Sequence, residues 1–326
     1  MKPSIPEIPI GSKIPLAQRG SFPESVHIFT EQAAWAIRAA LAAQRPLLVR
    51  GEPGTGKSQL ARAAAEVLGR LFVAEVVDSR SESRDLQWRY DAVGRLGDAQ
   101  ALGASGLSHD EVRQRLEPGN YVSPGPLWWV FDWDTALEQH ARGGGQYAAP
   151  QPPDDWKPAQ GSVLLIDEID KADADLPNGL LETLGNGAFG VPWRKEPVGA
   201  RSGIPTPLVV ITTNEERELP AAFVRRCLVL NLQLPERRDE LVEALVERGK
   251  AHFKGSCAES VYRAAAEQLW DDRQLAENQG VMPPGQAEYL DMLRVVVTIE
   301  PNKRRQKALL DQISVFALKK HPPPKA

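Results

Sequence analysis

The stretch "GEPGTGKS", residues 51–58, constrains the fold of this 326-residue chain more than any other. It matches G-x-x-x-x-G-K-[ST], and its setting matters as much as its letters. The apolar "PLLVR" (46–50) reads as a short strand ahead of it. The alanine-rich "GKSQLARAAAEVLG" (56–69) reads as a helix behind it, stopped at Gly69, and "LFVAEVVD" (71–78) as the next strand. Strand, glycine loop, helix and strand form a βαβ unit, which predicts an α/β fold with a mostly parallel sheet. Gly51, Gly54 and Gly56 let the backbone bend around a phosphate chain with its N–H groups pointing inward. The helix N-terminus adds the positive end of its dipole. Lys57 supplies a point charge for β- and γ-phosphates, and Ser58 offers a hydroxyl to Mg²⁺. The competing reading, an ordinary glycine turn before a helix, is the weaker one for the letters alone and weaker still in this strand-and-helix setting.

A second apolar run, "SVLLIDEID" (162–170), has the continuous hydrophobicity of a strand buried on both faces, and it ends in Asp167 and Glu168. In open α/β sheets ligands sit beyond the carboxyl ends of the strands, so two acids there face the same phosphates. Asp167 is suited to hold Mg²⁺, directly or through water, and Glu168 to polarise an attacking water. "PLVVITTN" (207–214) repeats the pattern and ends in Asn214, whose neutral amide would orient that water. Taken alone, Asn214 reads better as a cap on the following turn. "LPAAFVRRC" (219–227) is a short helix before a fifth strand, "LVLNLQL" (228–234), and sets Arg225 and Arg226 at the junction with no acid within residues 221–230.

The flanks are less constrained. Residues 1–25 read as an extended lead-in, and 29–44 as a helix with Thr30 as N-cap and Ala33, Ile37, Ala40 and Leu41 on one face. Between about 79 and 160 the pattern loosens. "SRDLQWRYDAVGRLGDAQ" reads as a polar helix or helix-turn, "YVSPGPLWWVFDWDTALEQHA" as a turn carrying three tryptophans and then a helix. "RGGGQYAAPQPPDDWKPAQG" reads as a mobile loop. Trp128, Trp129 and Trp133 are flanked by acids rather than cations, which fits core or subunit-interface residues better than a base-stacking platform. After Pro235 four segments carry helical periodicity. The expected division is therefore 1–25 lead-in, 26–234 nucleotide-binding α/β domain with an insertion at about 79–160, and 235–326 helical domain.

Composition excludes several classes. A formal net charge of −4 gives no global case for nucleic-acid binding. Two cysteines, Cys227 and Cys257, and five scattered histidines offer neither a disulfide framework nor a metal cluster, so a reducing, cytoplasmic setting is expected. "MKPSIPEIPIGSKIPL" lacks the apolar core of a signal peptide, and no run reaches the roughly 18 apolar residues of a membrane span.

The order of these elements resembles the AAA+ ATPases, and within them the dynein-related MoxR group. The resemblance is carried by "PLLVRGEPGTGKSQLA", "VLLIDEIDKADADLPNGLLETL" and "VVITTNEERELPAAFVRRC". It implies a P-loop parallel sheet flanked by helices, followed by a small all-α lid. ATP is the implied substrate, with Gly51, Glu52, Pro53, Gly54, Thr55, Gly56, Lys57, Ser58 and Gln59 around it and Mg²⁺ held by Ser58 and Asp167. Glu168 and Asn214 would be catalytic, and Arg225 or Arg226 would act in trans as an arginine finger, Arg226 lying closer to the usual spot. It further implies a homo-oligomeric ring, commonly a hexamer, remodelling a protein client and often paired with a von Willebrand A-domain protein. In this picture "RDLQWRYDAVGRLGDAQ" and the hairpin-like "GAFGVPWRKEPVGARSGIP" (187–205) resemble the insertions that project towards the pore or partners. Trp193, Arg194 and Lys195 would then touch a client, or else Trp193 packs on a neighbouring subunit and the cations are solvated. One departure stands out: where a sensor 2 arginine is usual, "MPPGQAEYLDML" has Gln286, so Arg294 or another lid cation takes that place or the lid couples weakly. A nucleic-acid translocase and a slow, nucleotide-gated scaffold are the competing readings.

Overall fold

The computed structural model describes residues 5–103, 106–199 and 203–317. Met1–Ser4 of the expected lead-in, residues 200–202 of the expected hairpin and the end of the last expected helix lie outside them. In chain order the first half contains β1 (Lys13–Leu16), β2 (Ser25–Ile28), α1 (Glu31–Ala43), β3 (Leu47–Arg50), α2 (Lys57–Leu68), β4 (Leu71–Val76), β5 (Trp88–Tyr90), α3 (Ala92–Gly103), α4 (His109–Arg115), β6 (Val122–Pro124), α5 (Pro126–Phe131) and α6 (Trp133–Arg142). The second half contains β7 (Ser162–Asp167), α7 (Asp175–Asn186), β8 (Ala188–Phe189), β9 (Val198–Gly199), β10 (Leu208–Thr213), α8 (Ala221–Val224), β11 (Leu228–Asn231), α9 (Arg238–Phe253), α10 (Glu259–Asn278), α11 (Gln286–Ile299) and α12 (Gln306–Ala317). These elements form two compact units.

The first unit is built from the described residues of Met1–Ile8, Ala34–Val49 and Ala64–Leu230. Its centre is a parallel five-stranded sheet in the order β11-β3-β10-β7-β4. The register pairs Val210 with Leu165 and Ala74 with Leu165, so β7 has a parallel neighbour on each side. That is why β7 and β10 are apolar on both faces: Val163–Ile166 and Val210–Ile211 are almost wholly buried.

Trp128 and Trp129 of the "LWWVF" segment are core residues, one of the two expected places, and they lie on a helix: every residue of α5 is buried, as a helix apolar all round must be. Trp128 Nε1 donates to Thr135 Oγ1 at 3.0 Å, so its polar edge is satisfied inside the core. The stretch from Ser83 to Gln100 departs from the sequence expectation. Trp88–Tyr90 is a strand paired antiparallel with Val122–Pro124, and helix begins only at Ala92. Residues 188–189 and 198–199 do pair as a short hairpin.

The second unit comprises Pro9–Ala33, Arg50–Ala63 and the described residues of Asn231–Ala326. Lys13–Leu16 pairs antiparallel with Ser25–Ile28, so part of the lead-in is a small sheet. Thr30 Oγ1 accepts the Ala33 N–H at 3.2 Å and starts α1 as an N-cap. Helices α9 to α12 share one core containing Leu241, Leu245, Val261, Tyr262, Leu269, Tyr289, Leu293 and Leu310. Among the described residues no helix is long and apolar enough to cross a membrane.

Candidate functional site

Residues 51–56 leave the carboxyl end of β3 as a tight loop and enter α2 at Lys57. Glycine is required at two positions for different reasons. A Cβ on Gly51 would stand 2.2 Å from the Leu232 carbonyl oxygen, and Gly54 has φ +76° with only 2.9 Å between a built Cβ and that of Ala287. Lys57 is buried, and its Nζ donates to the Gly51 and Glu52 carbonyls at 2.7 and 2.9 Å. Thr55 Oγ1 closes the turn by donating to Glu52 O at 2.9 Å. Pro53 lies in the bend, while Ser58 and Gln59 are half-buried in the first turn of α2. A tight glycine loop packed closely on its neighbours, with a lysine curled into it and a helix N-terminus behind, fits a phosphate chain.

The loop also touches a residue that the sequence did not single out. Arg273 of α10, 11% exposed at its side chain, donates to Glu52 Oε2 at 2.9 Å, Glu52 Oε1 at 3.4 Å and Pro284 O at 2.8 Å. The Ala287 N–H, at the start of α11, donates to Gly54 O at 3.2 Å. The two residues weighed as lid cations or their substitute sit elsewhere: Gln286 accepts from Arg248, and Arg294 is exposed and bonded to Asp291 at 2.6 Å. No local pattern marked Arg273, because its partner lies 221 residues away along the chain.

In the first unit the acid pair ends β7. Asp167 and Glu168 are half-buried, and Glu168 takes the left-handed conformation (φ +60°, ψ +46°), uncommon for a residue with a side chain. Thr212 of the neighbouring β10, fully buried, donates its hydroxyl to Asp167 Oδ1 and accepts the Glu168 N–H at 2.9 Å. Glu168 Oε2 accepts from Lys171 Nζ at 2.7 Å, and that bond raises the Lys171 ammonium above its usual pKa. Asp170 is buried, and its Oδ2 accepts the N–H groups of Asn214 (3.1 Å) and Glu216 (3.0 Å). The carboxyl ends of β7 and β10 are thereby stitched side chain to backbone, and Asn214 is held next to them. The donor set, two carboxylates and an amide at one sheet edge, is the oxygen-rich chemistry that Mg²⁺ prefers.

Arg225 and Arg226 are exposed at the end of α8. Arg226 Nη1 donates to Leu181 O at 2.9 Å, and Arg45 donates to the carbonyls of both residues, 2.9 Å at Arg226. The backbone of the pair is pinned while both guanidinium groups stay at the surface. A cavity of about 170 Å³ beside Arg226 is lined in part by Arg45, Leu181, Phe223 and Arg226 itself.

A family model described as an AAA domain of the dynein-related subfamily matches residues 46–227. The chain belongs to this family. It is therefore an ATPase of AAA type, and nucleotide use follows from membership. The matched segment of this AAA ATPase runs from the residue before β3 to the end of the "VRRC" helix turn. No curated protein matches the sequence. Among solved structures it is similar to a protein of Cytophaga hutchinsonii provisionally assigned as an ATPase. The two share 12% identity over 88% of this chain and 79% of that one, with a TM-score of 0.36, too slight a likeness to bear on the chemistry.

Proposed function

We propose that this AAA ATPase is of MoxR type and works as an oligomeric ring, a hexamer in the simplest case, using Mg²⁺-dependent ATP hydrolysis to remodel or activate a partner protein in the cytoplasm. The observation that carries the hydrolytic reading is the acid pair at the end of β7, built into a sheet whose β3 feeds the glycine loop. In this reading Gly51–Ser58 cradle the phosphates and Lys57 exchanges its two carbonyl partners for β- and γ-phosphate oxygens. Ser58 and Asp167 would hold Mg²⁺, which neutralises charge on those oxygens when bound. Glu168 leaves Lys171 and accepts the proton of the attacking water, whose oxygen forms the new bond to the γ-phosphorus as the bond to the β–γ bridging oxygen breaks and ADP leaves, while the Asn214 amide orients that water. Arg226, with Arg225 beside it, reaches the nucleotide of a neighbouring subunit; in GTPases such a guanidinium is worth roughly 10³–10⁵ in rate.

The domain division that goes with this reading is a lead-in at 1–25, a nucleotide-binding α/β domain at 26–234 with an insertion at about 79–160, and a helical lid at 235–326. The exposed Trp193, 56% accessible, packs on Tyr90 with ring centroids 4.9 Å apart, and in this reading the two belong to one client-facing surface. A von Willebrand A-domain protein is the expected kind of partner. The test is capture with Glu168→Gln in the presence of ATP, which should trap the loaded ring with its client; recovery of the bait alone would overturn the remodelling role.

A further inference from the structure

The strand leading to Asn214 is apolar until Thr212. Leu208, Val209, Val210 and Ile211 are buried hydrocarbon, and Thr212 sits among them with no exposed surface. A hydroxyl placed there is unfavourable unless its hydrogen-bonding capacity is used. It has one proton to donate and lone pairs to accept with. The proton goes to Asp167 Oδ1, and a lone pair takes the Glu168 N–H at 2.9 Å. One atom thus fixes the rotation of the first carboxylate and the backbone of the second acid. That backbone needs fixing, because left-handed φ and ψ are unfavourable for a residue with a side chain.

We propose that Thr212 is the positioning residue of the acid pair, setting the Asp167 carboxylate for Mg²⁺ and aiming the Glu168 side chain. The proposal rests on the reading of Asp167 and Glu168 as the hydrolytic acids. Valine in place of Thr212 has the same shape and neither bond, leaving the Glu168 N–H without its acceptor and Asp167 Oδ1 without this donor. Serine keeps both bonds.

The test uses the full chain as wild type, Thr212→Val and Thr212→Ser. Three quantities are read: binding of a fluorescent N-methylanthraniloyl ATP without Mg²⁺, the Mg²⁺ midpoint for strengthening that binding, and steady-state kcat and KM. Partners of metal-binding carboxylates typically contribute 10–100-fold to metal affinity or activity. Thr212→Val should raise the Mg²⁺ midpoint and lower kcat by that factor, with Mg²⁺-free binding unchanged, and Thr212→Ser should restore both. Wild-type midpoint and kcat in Thr212→Val would overturn the proposal. So would a loss in Thr212→Ser equal to that in Thr212→Val. If Thr212→Val does not fold, Thr212→Ala, which removes the hydroxyl without adding bulk, carries the same expectations. A wild type that fails to hydrolyse ATP would instead sink the hydrolytic reading itself, so the two failures are distinct.

Discussion

Replacing Arg273 with methionine keeps the apolar stem and removes the fork that holds Glu52. The wild-type guanidinium is almost buried and makes two bonds to the Glu52 carboxylate and one to Pro284 O. Hydrogen bonds to charged groups contribute about 1.5–3 kcal/mol net. The Glu52 side chain is 41% exposed, so water replaces much of what the arginine gives and the low end applies. About 1.5 kcal/mol corresponds to a tenfold change in an equilibrium constant. The equilibrium in question is loop order, because the Glu52 backbone carbonyl is also an acceptor for Lys57 Nζ. Arg273→Met should therefore weaken ATP-analogue binding roughly tenfold, Glu52→Gln about equally, and the double variant little further. Arg294→Met, on an exposed residue bonded to Asp291 in its own helix turn, should change affinity less than about twofold. Fluorescence titration of the four variants closes the cycle. Additive losses in Arg273→Met and Glu52→Gln, or a larger loss in Arg294→Met, would refute the coupling.

His27 is buried, and burial first, then the charges of Arg248 and His252, push its pKa down from 6.5 to about 3. The folded state therefore refuses a proton that the unfolded chain accepts, so stability is complete above pH 6.5 and falls as pH drops towards 3. At about 1.36 kcal/mol per pH unit, acidification from pH 7 to 5 should remove about 2 kcal/mol, read as lost hydrogen-exchange protection in β2 and α9 and flattened in His27→Gln. Trp128→Ala empties a fully buried site and removes the indole donor to the Thr135 hydroxyl, which keeps its bond to Asp132 O, and should cost about 3–5 kcal/mol in urea unfolding, with Trp128→Phe well below that. Arg226→Ala should bind ATP normally but lose turnover, and mixing it with Lys57→Ala chains should restore some; full activity in Arg226→Ala would remove the idea of a finger in trans.

What the sequence made legible was whatever depends on local pattern. "PLLVR", "VLLIDE" and "PLVVITT" are continuous apolar runs and became β3, β7 and β10 because a central parallel strand has no wet face to record. The four helices after Pro235 and the Thr30 cap are likewise local features. Pairings between distant segments left no such trace. Trp88–Tyr90 carries helix-compatible polarity and is a strand only because Val122–Pro124 comes alongside. The helix of "LWWVF" was hidden because Gly125 and Pro126 read as a turn, yet Pro126 is the first residue of a buried helix, a position proline favours. Arg273 read as one more charge in a polar helix, and Thr212 as part of an apolar strand. Both acquire meaning from partners across the fold.

The central claim is that Glu168 is the base of an ATPase whose glycine loop binds independently of it. The most direct measurement is steady-state ATP turnover by wild type and Glu168→Gln, alongside nucleotide binding by each. Turnover in wild type, its loss by two orders of magnitude or more in Glu168→Gln (general-base contributions being roughly 10²–10⁴-fold) and unchanged binding is the predicted result. Equal turnover in the two proteins would contradict the account.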